Sequence, residues 1–118
     1  MLTVPTIEEI TQAAVLVSGS TKNEIFGSSR IVRHVCARHV ISYLALTLSN
    51  HSLVDVAKYF SLHHTTIMSG RKRIKTQLDD PIVAALLRDT TQLAVAFARN
   101  RHSKIAISIR EGSAQHLS

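Results

Sequence analysis

The segment LVDVAKYFSLHHTTIMSGRKRIK, Leu53 to Lys75, divides into two helical halves about a short polar corner. Val56, Ala57 and Phe60 recur at helical spacing before the corner, and Ile67 follows it. A helix-turn-helix needs a small residue where the first helix crosses the second, a small residue at the bend, and apolar neighbours to lock the angle. Ala57, Ser61 and the set Val56, Phe60, Leu62 and Ile67 meet those needs. In that register His63, His64, Thr65, Met68 and Ser69 face outward. Hydroxyls and imidazoles at such a helix start suit hydrogen bonds to base edges in a major groove. Arg71, Lys72 and Lys75 follow, as cations placed for phosphates.

Charge supports the same reading. The 118-residue chain carries a formal +6. Ser28–Lys75 holds eight of the 14 Lys/Arg and one acid, Asp55, a local +7, so the remainder is slightly acidic. A surplus confined to one segment marks a polyanion-binding face rather than general solubilising charge. The lone Cys36 sits among apolar residues and reads as a buried structural thiol in a reducing compartment.

Outward from this segment the pattern is helical throughout, and the expected class is all-α. Thr6-Ile-Glu-Glu9 and Thr21-Lys-Asn-Glu24 are capping boxes that start a helix over Ile7–Val17 and a short one ending at Gly27. Val32, Val35, Cys36, Ile41, Leu44, Ala45 and Leu48 form a broad stripe on a helix from Val32 to Leu48. Arg30, Arg33, Arg38 and His39 cluster at its start, where cations oppose the helix dipole and a phosphate would relieve them. Ser52 restarts the chain before Leu53. Asp80-Pro81 opens a helix to about Arg99, with Ile82, Val83, Leu86, Leu87, Leu93, Ala94 and Phe97 directed inward. Lys104–Arg110 alternates with period two and fits either a strand or a continued helix. As a strand it would need a partner strand, and a homodimer through residues 81–110 is one way to supply it.

Gly27-Ser-Ser-Arg30, Val35-Cys-Ala-Arg38-His-Val-Ile-Ser-Tyr-Leu44, Leu48-Ser-Asn-His-Ser-Leu53, His64-Thr-Thr-Ile67 and Arg71-Lys-Arg-Ile74 together resemble the C-terminal DNA-binding domain, domain IV, of the bacterial replication initiator DnaA. The resemblance implies a helix-turn-helix bundle of the Trp-repressor-like type over residues 1–78. Residues 79–118 would add a further helix and tail for packing or dimerisation. It implies that Arg30 reaches into a minor groove and that Arg38 and His39 lie near DNA. It also implies that the helix start at Leu53 faces phosphates, and that His64, Thr65 and Thr66 meet bases and backbone in the major groove. The chain departs from the family where Ser61-Leu62-His63 stands for the usual Gly-Gly-Arg-Asp. His63 thus occupies the place of a base-reading aspartate.

These observations lead to a sequence-preferring binder of double-stranded DNA that regulates transcription or replication initiation, in the cytoplasm and on the nucleoid. The candidate interface is Arg30, Arg33, Arg38, His39, Leu53, His63, His64, Thr65, Thr66, Ser69, Arg71 and Lys72. The alternative is an adaptor that keeps the fold and binds an acidic protein partner. No phosphate-binding loop of the Gly-Lys-Ser/Thr kind occurs in these 118 residues, so no nucleotide is expected. No catalytic set emerges, and no cofactor is expected. His63, His64, His34 and His39 lack a carboxylate or second cysteine to complete a metal site. With no uninterrupted apolar run of membrane length and no basic start to the chain, neither a membrane span nor a secretory signal is expected.

Overall fold

The computed structural model describes the backbone of residues 4–115 and the side chains of residues 4–101. Its described residues form six helices and no strand: α1 Ile7–Ser18, α2 Lys22–Phe26, α3 Val32–Thr47, α4 Leu53–Phe60, α5 His64–Thr76 and α6 Pro81–Gln115. Local chemistry sets most of the boundaries. Both capping boxes close as the spacing requires, with Thr6 and Glu9 exchanging bonds of 2.9 and 3.1 Å and Thr21 and Glu24 bonds of 2.7 and 3.1 Å. Ser52 Oγ accepts from the Asp55 amide, and Asp80 Oδ1 accepts from the amides of Ile82 and Val83. Each such cap satisfies amides that the first helical turn leaves open.

α3 is the central element and packs against all five other helices. Ala37, Val40, Ile41, Leu44 and Ala45 of α3 join Ile10, Ala13 and Ala14 of α1, Ile25 of α2, Val56, Ala57 and Phe60 of α4, and Ile67 and Ile74 of α5. Val83 and Ala94 of α6 complete the same cluster. Leu62, expected to lock the corner, is 38% exposed and stands outside the cluster, and two residues of the apolar stripes are more exposed still: Val32 at 81% and Ile82 at 78%. Both occupy the first two positions of their helices, which overhang the neighbouring elements, so the stripe continues where nothing packs on it. His34 takes the inward place in the first turn of α3 instead. Cys36 is half-buried, and burial pushes its thiol up, which keeps it protonated and unreactive.

The backbone of Lys104–Arg110 continues α6, so the strand alternative falls away. The side chains that would decide a dimer contact lie outside the described residues. Pro81–Arg101 is long and apolar enough to cross a membrane, at a mean hydropathy of 1.2, although no single apolar run suggested it. α6 nevertheless packs along α1 and buries Val83, Thr90, Ala94 and Ala98.

A small aromatic cluster joins α2 to α4. Phe26 lies 5.3 Å from Tyr59 and 4.8 Å from Phe60, centroid to centroid. The Tyr59 hydroxyl leaves this cluster to donate to Glu8 and to meet Thr11 Oγ1 at 2.9 Å. Desolvation, reinforced by the bond to the Glu8 carboxylate, pushes the phenol up to about 12 from its ordinary 10.0. A raised value means that the folded chain holds this proton more tightly than the unfolded chain does. The contribution is therefore fully present below pH 10 and is lost as pH rises through about 12. Tyr59→Phe is expected to flatten that part of the alkaline fall in stability and to remove a late-titrating phenol from the absorbance at 295 nm. Chemical denaturation at several pH values between 9 and 12 measures the first effect.

Candidate nucleic-acid interface

α4 and α5 meet at Ser61-Leu62-His63. Ser61 adopts the left-handed conformation, φ 55° and ψ 42°. Its amide bonds Lys58 O at 3.1 Å, and the Leu62 amide bonds Ala57 O at 2.9 Å. This is a Schellman ending, which normally uses glycine because an L side chain resists that conformation. Ser61→Gly is expected to raise stability by about 0.5–1 kcal/mol, once the relieved strain is set against glycine's greater freedom when unfolded. The shift in denaturation midpoint measures it.

Beyond the corner His63 caps α5 with its own ring. Its Nδ1 accepts from the Thr65 amide at 3.3 Å and lies 2.8 Å from Thr65 Oγ1. The His64 ring stacks on that of His63 with centroids 4.4 Å apart and planes 30° apart. His63, His64, Thr65 and Thr66 are all exposed, whereas Ile67, Gly70 and Ile74 form the inner edge of α5. Thr65, Met68, Ser69, Arg71, Lys72 and Lys75 line a shallow hollow of about 420 Å³ on the outer face. The outward register assigned from sequence thus groups hydroxyls, a methionine and three cations on one surface.

Gly70 lies where α5 crosses α3. A Cβ there would come within 2.8 Å of His39 Cδ2. His39 is half-buried, and burial, followed by the charges of Arg73 and Arg38, lowers its pKa. It therefore packs as a neutral ring at neutral pH.

Arg38 also turns inward. Its Nε donates to Ile25 O at 2.6 Å, and its Nη2 donates to Gly27 O at 2.9 Å and Ser29 O at 3.4 Å. One guanidinium thus gathers the carbonyls at the end of α2 and along the basic loop. His34 works from the other side: buried, it brings Nδ1 to 2.8 Å from Ser29 Oγ. Its Nε2 lies 3.2 Å from Glu24 Oε2 without hydrogen-bond geometry. These two side chains set the path of Gly27–Ile31 and so the position of exposed Arg30. Sequence reasoning had no role for His34 beyond a metal set, and no spacing rule links it to Ser29.

α3 starts at Ile31 with no side-chain cap and no acid in its first turn. Arg30 and Arg33, beside this start, share a separate groove with His39 and Arg73. Arg73 was not among the candidate residues, although its place three residues after Gly70 puts it on the edge facing α3. Leu53, at the start of α4, is half-buried.

A short helix, a tight left-handed corner and a second helix with an exposed polar start define a helix-turn-helix protein. A family model described as "Bacterial dnaA protein helix-turn-helix" matches residues 7–74, and the chain belongs to that family. It is 37% identical over 68 residues to the chromosomal replication initiator protein DnaA of Deinococcus radiodurans, covering 57% of this chain and 15% of that protein. To the same initiator of Thermotoga petrophila it is 31% identical over 72 residues, 61% of this chain and 16% of that one. The chain thus spans a small fraction of the length of these relatives.

Proposed function

We propose that this chain binds double-stranded DNA, with the exposed face of α5 in a major groove and the Arg30 loop in a minor groove. It would thereby regulate transcription or replication initiation on the nucleoid. The observation that carries the reading is the outer face of α5. Four exposed residues at its start, His63 to Thr66, adjoin a hollow lined by Thr65, Ser69, Arg71 and Lys72. The uncapped start of α3 between Arg30 and Arg33 supports it as a second anion-favouring point. Leu53 would present the start of α4 to a phosphate. Arg38 and His39 serve the interface from behind, by holding the loop and by abutting α5. Residues 1–78 carry the reading surface, and residues 79–118 brace it or pair it with a second copy.

A mobility shift with random duplex, repeated across salt, tests this. Binding should weaken linearly in log–log form as salt rises. Lys72→Ala should reduce the slope by about one while weakening all duplexes alike. Absence of any shift at low salt would sink the reading.

One observation favours the adaptor alternative. A groove of about 960 Å³ between α1, α3, α5 and α6 exposes Val32 and Ile82 and carries Arg30, Arg33 and Arg73 on its walls. An acidic partner with apolar side chains would match it, and retention on such a partner without a DNA shift would support it.

A further inference from the structure

On the reading that α5 enters a major groove, we infer that His63 and Thr65 form one locked pair of opposite hydrogen-bonding polarity. His63 presents a donor to the bases and Thr65 an acceptor. One group in the cluster has a role fixed by chemistry, the Thr65 backbone N–H. It can only donate, and it points at His63 Nδ1 at 3.3 Å. Nδ1 is then an acceptor and carries no proton. The 2.8 Å contact between Nδ1 and Thr65 Oγ1 therefore uses the threonine proton. Two consequences follow. The proton of the neutral imidazole resides on Nε2, the ring atom turned away from the cap. The Thr65 oxygen, its proton engaged, keeps only lone pairs for an outside partner.

The pair is held before any ligand arrives. His64 stacks on the His63 ring at 4.4 Å, which limits its rotation about the cap. Both residues are exposed, so the outward atoms are accessible.

In a major groove this polarity selects between two kinds of base. Guanine and thymine present a carbonyl oxygen, whereas adenine and cytosine present an amino group. A donor at His63 favours a keto base, G or T, on the strand it faces. It excludes C, which presents only an amino group, and accepts A less well, because the N7 acceptor of A lies beside an amino donor. An acceptor at Thr65 favours an amino base, A or C, at the neighbouring position. The carboxylate implied at the His63 place by the family resemblance has the reverse polarity. This chain should therefore prefer a site that differs from one read by an aspartate at that base pair.

In vitro selection from a random duplex pool, with the whole chain and its variants, tests this. The wild type should enrich a site in which one keto position and an adjacent amino position are each favoured by roughly tenfold. His63→Asp should exchange the keto base for A or C at that position and leave the rest of the site unchanged. Aspartate caps helices well, so the fold is retained, and far-UV circular dichroism verifies that. Thr65→Val keeps the shape and the backbone N–H that makes Nδ1 an acceptor but removes Oγ1. It should abolish the amino-base preference and leave the keto preference in place, weakened by the loss of the 2.8 Å clamp, and Thr65→Ser should restore both. If His63→Asp enriches the wild-type site, or Thr65→Val keeps the amino-base preference, the locked pair is overturned while DNA binding stands. If the wild type enriches nothing and shifts no duplex at low salt, the DNA reading fails and this inference with it.

Discussion

Arg38→Ala is expected to destabilise the chain by about 2–4 kcal/mol, because three carbonyl acceptors lose one charged donor. The effect should exceed that of Arg30→Ala or Arg33→Ala, whose side chains are exposed. Truncation leaves the Ile25 carbonyl, accepted at 2.6 Å from Nε, without that partner in a part-buried place. Solvent can reach the outer part of the loop and recover some of the loss, which keeps the expected figure below a simple sum of three bonds. Arg38→Lys should recover little, since one ammonium cannot span three carbonyls as a planar fork does. Urea denaturation measures the stability change. A loss below about 0.5 kcal/mol would show that Arg38 is not the clasp of the loop. On DNA, the variant should lose the contribution of Arg30 although Arg30 itself is intact.

The second large effect concerns Gly70. Gly70→Leu is expected to cost about 2–3 kcal/mol by forcing α5 away from α3. Glycine within a helix is ordinarily inferior to alanine by about 1 kcal/mol, so its presence needs a reason. The reason here is contact: even a single Cβ would meet His39 Cδ2 at 2.8 Å. A double-mutant cycle isolates that contact. Gly70→Ala should destabilise the wild type, yet become neutral or stabilising when His39→Ala has removed the ring. If Gly70→Ala stabilises both backgrounds alike, the crossing is looser than described.

Much of this fold was legible in the sequence because it is decided locally. Thr6, Thr21, Ser52 and Asp80 cap the helices they precede, as their spacing required. The corner at Ser61 and the outward register of α5 follow from the small residues and apolar spacing that a helix-turn-helix requires. What periodicity could not tell was where a partner helix ends. Val32 and Ile82 sit on their apolar stripes but beyond the reach of the neighbours. Nor can charge pattern distinguish a guanidinium facing solvent from one turned onto loop carbonyls, as Arg38 is. The His63 cap lay hidden for a related reason. Histidine is an uncommon N-cap, so the residue read as a donor to DNA without its simultaneous role as acceptor to Thr65.

The clasp around Gly27–Ile31 also bears on how fast and how cleanly the chain could dock. Fixing the backbone of one residue costs about 1–2 kcal/mol, and a loose loop would meet that cost on binding. Here Arg38 and His34 fix the path during folding, which leaves only the Arg30 side chain to be ordered when a groove arrives. Association would then be a rigid encounter steered by charge, with its rate set by diffusion and salt rather than by a search among loop conformers.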